Sequence, residues 1–166
     1  VRIAVDAMGG DNGPPAAVGG AFQCAAADAT EILLVGDTPR IREELDRLGD
    51  HHGRIEIVHA EEEVEMDEPA TTPVRRKPRS SIRLCAELVH EGRARALVSA
   101  GNTGAAMIAA KMVMGTLSGV DRPALAAVLP NAAGRTVLLD AGANVDSKPA
   151  HLRQFAVMGH SFAQEI

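Results

Sequence analysis

The chain predicts an α/β fold with a mainly parallel sheet and helices on both faces. Two observations carry this. Short β-type runs alternate with longer helical patterns along 166 residues. Several of the runs are continuously apolar, as strands covered on both faces must be. A third observation sets the character of the core: 46% of residues are apolar but only 2% are aromatic, with no Trp or Tyr, so the packing is aliphatic.

Strands are expected at Arg2 to Asp6, Glu31 to Val35, Arg54 to Val58, Arg95 to Ser99, Ala124 to Leu129 and Thr136 to Asp140. Helices are expected at Pro14 to Asp28, Thr38 to Leu48, Ser80 to Glu91 and Thr103 to Met114. Pro14 and Pro15 follow a Gly-rich turn and suit a first helical turn. Asp37 or Thr38 can cap the second helix, with Pro39 just after. The short connection from Pro130 to Arg135 suits a hairpin, which would make the sheet mixed. From Pro149 to Ile166, apolar residues at Leu152, Phe155, Ala156, Met158, Gly159, Phe162 and Ala163 fall on one helical face. That stripe still needs a surface to cover. It suggests missing sequence or a partner chain; missing sequence is favoured, which makes residues 1–166 the N-terminal portion of one α/β enzyme whose C-terminal portion is absent.

Composition excludes several classes. A formal net charge of -5 and the scarcity of aromatic rings argue against nucleic-acid binding. They do not exclude an acidic protein partner, because local patches matter more than the sum. The weakly polar stretch from Gly104 to Gly115 is too short to span a bilayer and contains Lys111. Cys24 and Cys85 are expected as buried reduced thiols, and nothing suggests a secretory signal or a disulfide framework. His51, His52, His59, His90, His151 and His160 show no metal-ligand spacing, so no zinc site is expected. No nucleophile elbow or Cys–His signature appears. The chemistry is expected to use a bound anion as nucleophile.

One region breaks the alternation. Six of the eight residues from Glu61 to Glu68 are acidic, and four of the five from Arg75 to Arg79 are basic. Pro69, Pro73 and Pro78 interrupt any long helix there. Either this is a solvated loop whose charges screen each other, or a mobile segment that handles an anionic substrate or partner.

Three loops at carboxyl ends of strands can carry chemistry, because ligands in open parallel sheets bind there. The first is Asp6-Ala7-Met8-Gly9-Gly10-Asp11, where paired glycines permit close backbone approach to a ligand. The second, Ser99-Ala100-Gly101-Asn102-Thr103-Gly104, runs straight into a helix. Its free N–H groups and the helix dipole favour an anion, with Ser99, Asn102 and Thr103 as side-chain donors and Gly101 allowing approach. The segment lacks the Gly-Lys-Ser/Thr of a nucleotide loop and the dinucleotide fingerprint. The third, Asp140 to Pro149, holds Asp140, Asn144, Asp146 and Lys148. Lys148 can give phosphate a point charge, Asp140 can orient the loop, and Asp146 can form a turn.

Five segments in series resemble the acyl-ACP:phosphate acyltransferases of bacterial phospholipid synthesis. They are Val5 to Asp11, Glu56 to Ala60, Val98 to Ala105, Asp121 to Ala126 and Leu139 to Asp146. The basic segment ending in Ser80 and Ser81 also resembles that family. Pro78 is a departure from it and bears on how Lys77 is presented. The resemblance implies a three-layer α/β/α fold with a cleft, similar to phosphotransacetylases and isopropylmalate dehydrogenases. It implies a homodimer, cytoplasmic and peripheral at the inner face of the membrane, with no cofactor. It implies conversion of acyl-[acyl carrier protein] and inorganic phosphate to acyl phosphate and free carrier.

On this reading phosphate sits at Ser99 to Gly104, steadied by Lys148 or Lys77, and Asn102 or Asn144 donates to the developing oxyanion. Gly9, Gly10, Asp11, Ser80, Ser81, Asp140 and Asp146 complete the expected substrate contacts. The basic segment is expected to attract the acidic carrier. Three alternatives stay open: a phosphotransacetylase-like enzyme using acyl-CoA, a nucleotide-dependent dehydrogenase, and a non-catalytic fragment that binds the carrier protein.

Overall fold

A computed structural model describes residues 1–28, 30–49, 53–69, 76–142 and 146–166. Within it the chain forms two compact units, Val1–Gly115 and Thr116–Ile166.

The first unit alternates strand and helix: β1 (Arg2–Asp6), α1 (Gly13–Ala27), β2 (Glu31–Gly36), α2 (Thr38–Leu48), β3 (Ile55–His59), α3 (Ser81–His90), β4 (Ala96–Val98) and α4 (Thr103–Met114). All four strands are parallel, in the order β3-β2-β1-β4. The two-residue period of a strand explains the layering. On β2, Ile32 and Leu34 point to one face and pack with Val18, Ala21 and Ala25 of α1 and Ile41 and Leu45 of α2. Leu33 and Val35 point to the other and pack with Cys85 and Leu88 of α3. Leu33 and Leu34 are fully buried, each stabilising the fold by about 1.5–3 kcal/mol. α4 packs on α3 through Ala105 and Ala109 against Ile82 and Ala86.

Helix starts follow the local chemistry. Asp37 caps α2 by accepting the Arg40 N–H at 2.9 Å. Proline occupies the first turn of α1 and of α2. One expectation is corrected here: Cys24 is exposed, and Cys85 alone is buried. α1 is so rich in Ala and Gly that its sequence gives little sign of which face is inward.

The second unit holds β5 (Ala126–Asn131), β6 (Gly134–Leu139) and α5 (Pro149–Glu165). β5 and β6 form the expected hairpin, antiparallel with Ala126 opposite Leu139 and Asn131 opposite Gly134. They form a sheet of their own, so the parallel sheet is not mixed. A two-residue turn explains the shift from the expected strand ends: Asn131 Oδ1 accepts the Ala133 N–H at 2.8 Å and pairing continues through Pro130. α5 packs on β6 where Gly159 lets Leu139 approach; a Cβ there would lie 2.9 Å from Leu139 Cδ2. Phe155 and His151 are buried beneath α5. Among the described residues, no helix is long and apolar enough to cross a membrane.

Candidate functional site

The strand order places the site. From β1 the chain builds outward to β2 and β3, then returns to add β4 on the other side of β1. The loops leaving β1 and β4 therefore diverge from neighbouring strands, the arrangement that opens a crevice at the carboxyl ends of a parallel sheet. These are the two Gly-containing loops, Asp6 to Asp11 and Ser99 to Gly104.

The loops are locked to each other. Asp6 is only 4% exposed. Its Oδ2 accepts the Ser99 hydroxyl at 2.7 Å, and its Oδ1 accepts the Met8 N–H at 3.2 Å. Ser99 Oγ in turn accepts the Gly101 N–H at 3.0 Å. Gly9 and Gly101 sit backbone to backbone. A Cβ on Gly9 would lie 2.7 Å from Gly101 N and 2.8 Å from Asp6 Oδ2. Gly10 adopts φ +98°, a conformation natural to glycine. The paired glycines thus let the two loops touch.

Beyond this junction α4 begins. Asn102 Oδ1 caps it by accepting the Ala105 N–H at 3.0 Å. Among the described residues, the N–H groups of Thr103 and Gly104 have no acceptor. Ala100 and Thr103 are exposed, so the turn is open to solvent. Beside it, Gly9, Gly10, Asp11, Asn12, Gly13 and Ala100 line a cavity of about 330 Å³. An apolar groove of about 280 Å³ shares Ala16, Ala17 and Ala100 with it and runs on past Gly20 and Val98.

Asn102 has a second task. Its amide Nδ2 donates to the carbonyls of Glu68 at 2.9 Å, Met66 at 3.2 Å and Glu65 at 3.4 Å. Its N–H groups are thus turned to the acidic segment, away from the oxyanion role expected of them. Lys77 Nζ donates to the Glu63 carbonyl at 2.8 Å and closes an ion pair with the Glu68 carboxylate. The backbone N–H of Glu65 holds the Glu68 carboxyl below the ordinary Glu range, and Lys77 adds to the effect. Arg79 pairs with Glu61 and Arg40 with Glu63, each at 3.0 Å. Charges in this segment therefore screen each other, as the solvated-loop reading expects.

Pro78 presets the turn that delivers Lys77 inward, closed by the Ser80 N–H to the Lys77 carbonyl at 3.1 Å. Ser80 and Ser81, expected at the substrate, are buried at 0% and 2% exposure where α3 begins. Their backbones bridge to Glu62, and Ser80 Oγ has no partner among the described residues. Asp11 is exposed in the turn before α1.

Asp140, Asp146 and Lys148 belong to the second unit. Asp140 takes φ +63°, a turn conformation Asp tolerates, and accepts the Ser147 hydroxyl at 3.3 Å. Asp146 and Lys148 are exposed, and Lys148 N–H donates to His151 Nδ1 at 3.3 Å at the start of α5. Asn144 lies outside the described residues, as do Arg75, His51 and His52. Asp121 and Gln154 form a reciprocal pair, with Asp121 N–H donating at 3.0 Å and Gln154 Nε2 at 2.8 Å. Among the described residues, no group of His, Cys, Asp and Glu is arranged to hold a metal ion.

Four roles in this site carry no local signature: the clamp of Asp6 on Ser99, and the Glu65, Met66 and Glu68 carbonyls that hold Asn102. Only a charged residue at the end of an apolar strand hints at the first.

Residues 1–166 match the model of the family described as "Fatty acid synthesis protein" over their full length. The chain belongs to the fatty acid synthesis protein family. Curated relatives in it carry the name phosphate acyltransferase. One from Pelotomaculum thermopropionicum is 54% identical over 166 residues, covering all of this chain and 48% of the relative. One from Desulforamulus reducens is 51% identical over 167 residues, covering all of this chain and 50% of the relative. One from Lawsonia intracellularis is 46% identical over 166 residues, with 48% of the relative covered. The chain thus spans about half the length of the family members it matches.

Proposed function

We propose that the whole protein is a phosphate acyltransferase that moves a fatty acyl group from acyl carrier protein to inorganic phosphate, and that this chain supplies the phosphate seat. The observation carrying the proposal is the start of α4 at the β1–β4 switch point, where Thr103 is exposed and the Thr103 and Gly104 N–H groups have no acceptor among the described residues. Amides at a helix start bind an oxyanion through hydrogen bonds and the helix dipole together. The names of the family members in three bacteria support the reaction. The cavity at Gly9, Gly10 and Ala100 shares residues with an apolar groove, which suits a product with a charged head and a hydrocarbon tail.

In the reaction, a phosphate oxygen attacks the thioester carbonyl carbon. The C–O bond forms, the C–S bond breaks, and the carrier thiolate takes the proton that hydrogen phosphate gives up. Thiolate leaves readily, so holding phosphate in line with the carbonyl accounts for most of the acceleration. Lys148 is proposed to steady the phosphate charge and Asn144 to donate to the developing oxyanion. The three-layer fold with a cleft, the homodimer and peripheral contact with the membrane belong to the same proposal.

Thr103→Pro tests the seat. Proline is well accepted at a first helical position, and Asn102 before it already has ψ 108°, which proline requires. The change removes one N–H and leaves the helix. Phosphate KM should rise about tenfold, as expected for losing a hydrogen bond to a charged group. An unchanged KM, read from acyl phosphate formation by phosphorus NMR, refutes the seat. Running the assay with acyl carrier thioester and with acyl-CoA identifies the donor.

A further inference from the structure

The geometry points to Asp6 as a positioning residue for the acyl transfer, acting through Ser99 and Gly101 to set the phosphate seat; this rests on the seat proposed above. Three observations support it. Asp6 is a carboxylate 4% exposed at the end of β1, where burial of a charge needs strong hydrogen bonding to be tolerated. It takes those bonds from both site loops, 2.7 Å from the Ser99 hydroxyl and 3.2 Å from the Met8 N–H. The line then continues, since Ser99 Oγ accepts the Gly101 N–H at 3.0 Å.

The proton directions matter. Ser99 gives its one hydroxyl proton to Asp6, so it is an acceptor toward Gly101 and has no proton left for phosphate. Ser99 is therefore a link and not a ligand. Gly101 N–H is likewise directed into the loop and is unavailable to phosphate, whereas the Thr103 and Gly104 amides at the start of α4 have no acceptor among the described residues. The pair Gly9 and Gly101 packs against Asp6 Oδ2. A carboxylate that faced the seat would repel phosphate. One whose oxygens are bonded to Ser99 and Met8 fixes the donors and does not compete for them.

The test uses the whole protein, with phosphate and acyl donor varied separately. Asp6→Asn places an amide N–H₂ where a second acceptor is needed. Phosphate KM should rise about tenfold or more, with acyl-donor KM within about twofold. Ser99→Ala should move phosphate KM in the same direction by about fivefold, and Ser99→Thr, which keeps the hydroxyl, should restore it. Ser99→Ala and Ser99→Thr decide the matter if Asp6→Asn does not fold. Thr103→Pro run alongside separates the two proposals. If it raises phosphate KM while the Asp6 and Ser99 variants leave it alone, the seat stands and the positioning role falls. If both KM values rise equally, or Ser99→Thr fails to rescue, Asp6 is merely structural. If Thr103→Pro has no effect, the seat falls and this inference with it.

Discussion

The start of α4 is held from two sides by opposite kinds of chemistry. On the β1 side, Gly9 and Gly101 touch, and buried Asp6 bonds to Ser99 and Met8. On the β3 side, Asn102 holds three carbonyls of the acidic segment, and half-exposed Lys77 pairs with Glu68. The first contact combines close packing with hydrogen bonds to a buried carboxylate, so it has one geometry. The second is polar and near solvent, so it adapts and is weakened by salt. The seat should accordingly be intolerant of change toward β1 and forgiving toward β3.

The largest effect should come from Gly9→Ala. Its Cβ would meet backbone atoms at 2.7 and 2.8 Å, which have nowhere to go. We expect a loss of about 3 kcal/mol in denaturant unfolding, with acyl phosphate formation abolished. A loss below about 1 kcal/mol would show that the junction yields easily and erase the contrast. Asn102→Ala comes next. It removes both the cap and the tether, so about 1–2 kcal/mol should go, with faster amide exchange at Glu65 and Glu68. Unchanged exchange would mean that the acidic segment holds without Asn102.

Two smaller effects sharpen the picture. Gly19 lies within α1 and a Cβ there meets nothing within 4 Å. Gly19→Ala should therefore stabilise by about 0.5–1 kcal/mol, the opposite sign to the same change at Gly9. Lys77→Met should cost less than about 1 kcal/mol, since the pair is partly exposed. The pH dependence has a definite sign. The Glu68 carboxyl is held below its ordinary range in the folded protein, first by the Glu65 N–H and then by Lys77. Its contribution is present above the usual Glu pKa and is lost as pH falls through the lower folded value. Lys77→Met should shrink this acid-side loss without abolishing it, because the Glu65 bond remains. A larger loss in the variant would contradict the assignment.

Much of this is legible in the sequence. β1 and α2 were expected at their observed ends, because a continuous apolar run and an Asp–Thr–Pro cap are local signals. The hairpin was legible from its short connection, but its separate sheet was not, since pairing partners are not written locally. Cys24 was misplaced because a helix of Ala and Gly has no polar face to contrast with. The two Gly loops were found as loops. What they do to each other was not, because Asp6 and Ser99 are 93 positions apart. Asn102 was recognised as polar at a helix start, but its partners at Glu65 to Glu68 lie on another loop.

That 93-residue separation also orders events during folding. β1, β2 and β3 pair with neighbours close in sequence, whereas β4 must return past β2, β3 and, among the described residues, three helices to reach β1. Closing so long a loop is slow relative to the local pairings. The Gly101 and Ser99 contacts should therefore be the last protected in pulsed hydrogen exchange, after the amides of β2. The chain then acquires the corner where the β1 and β4 loops meet only when the rest of the first unit is already assembled, and partial denaturation should remove that corner first.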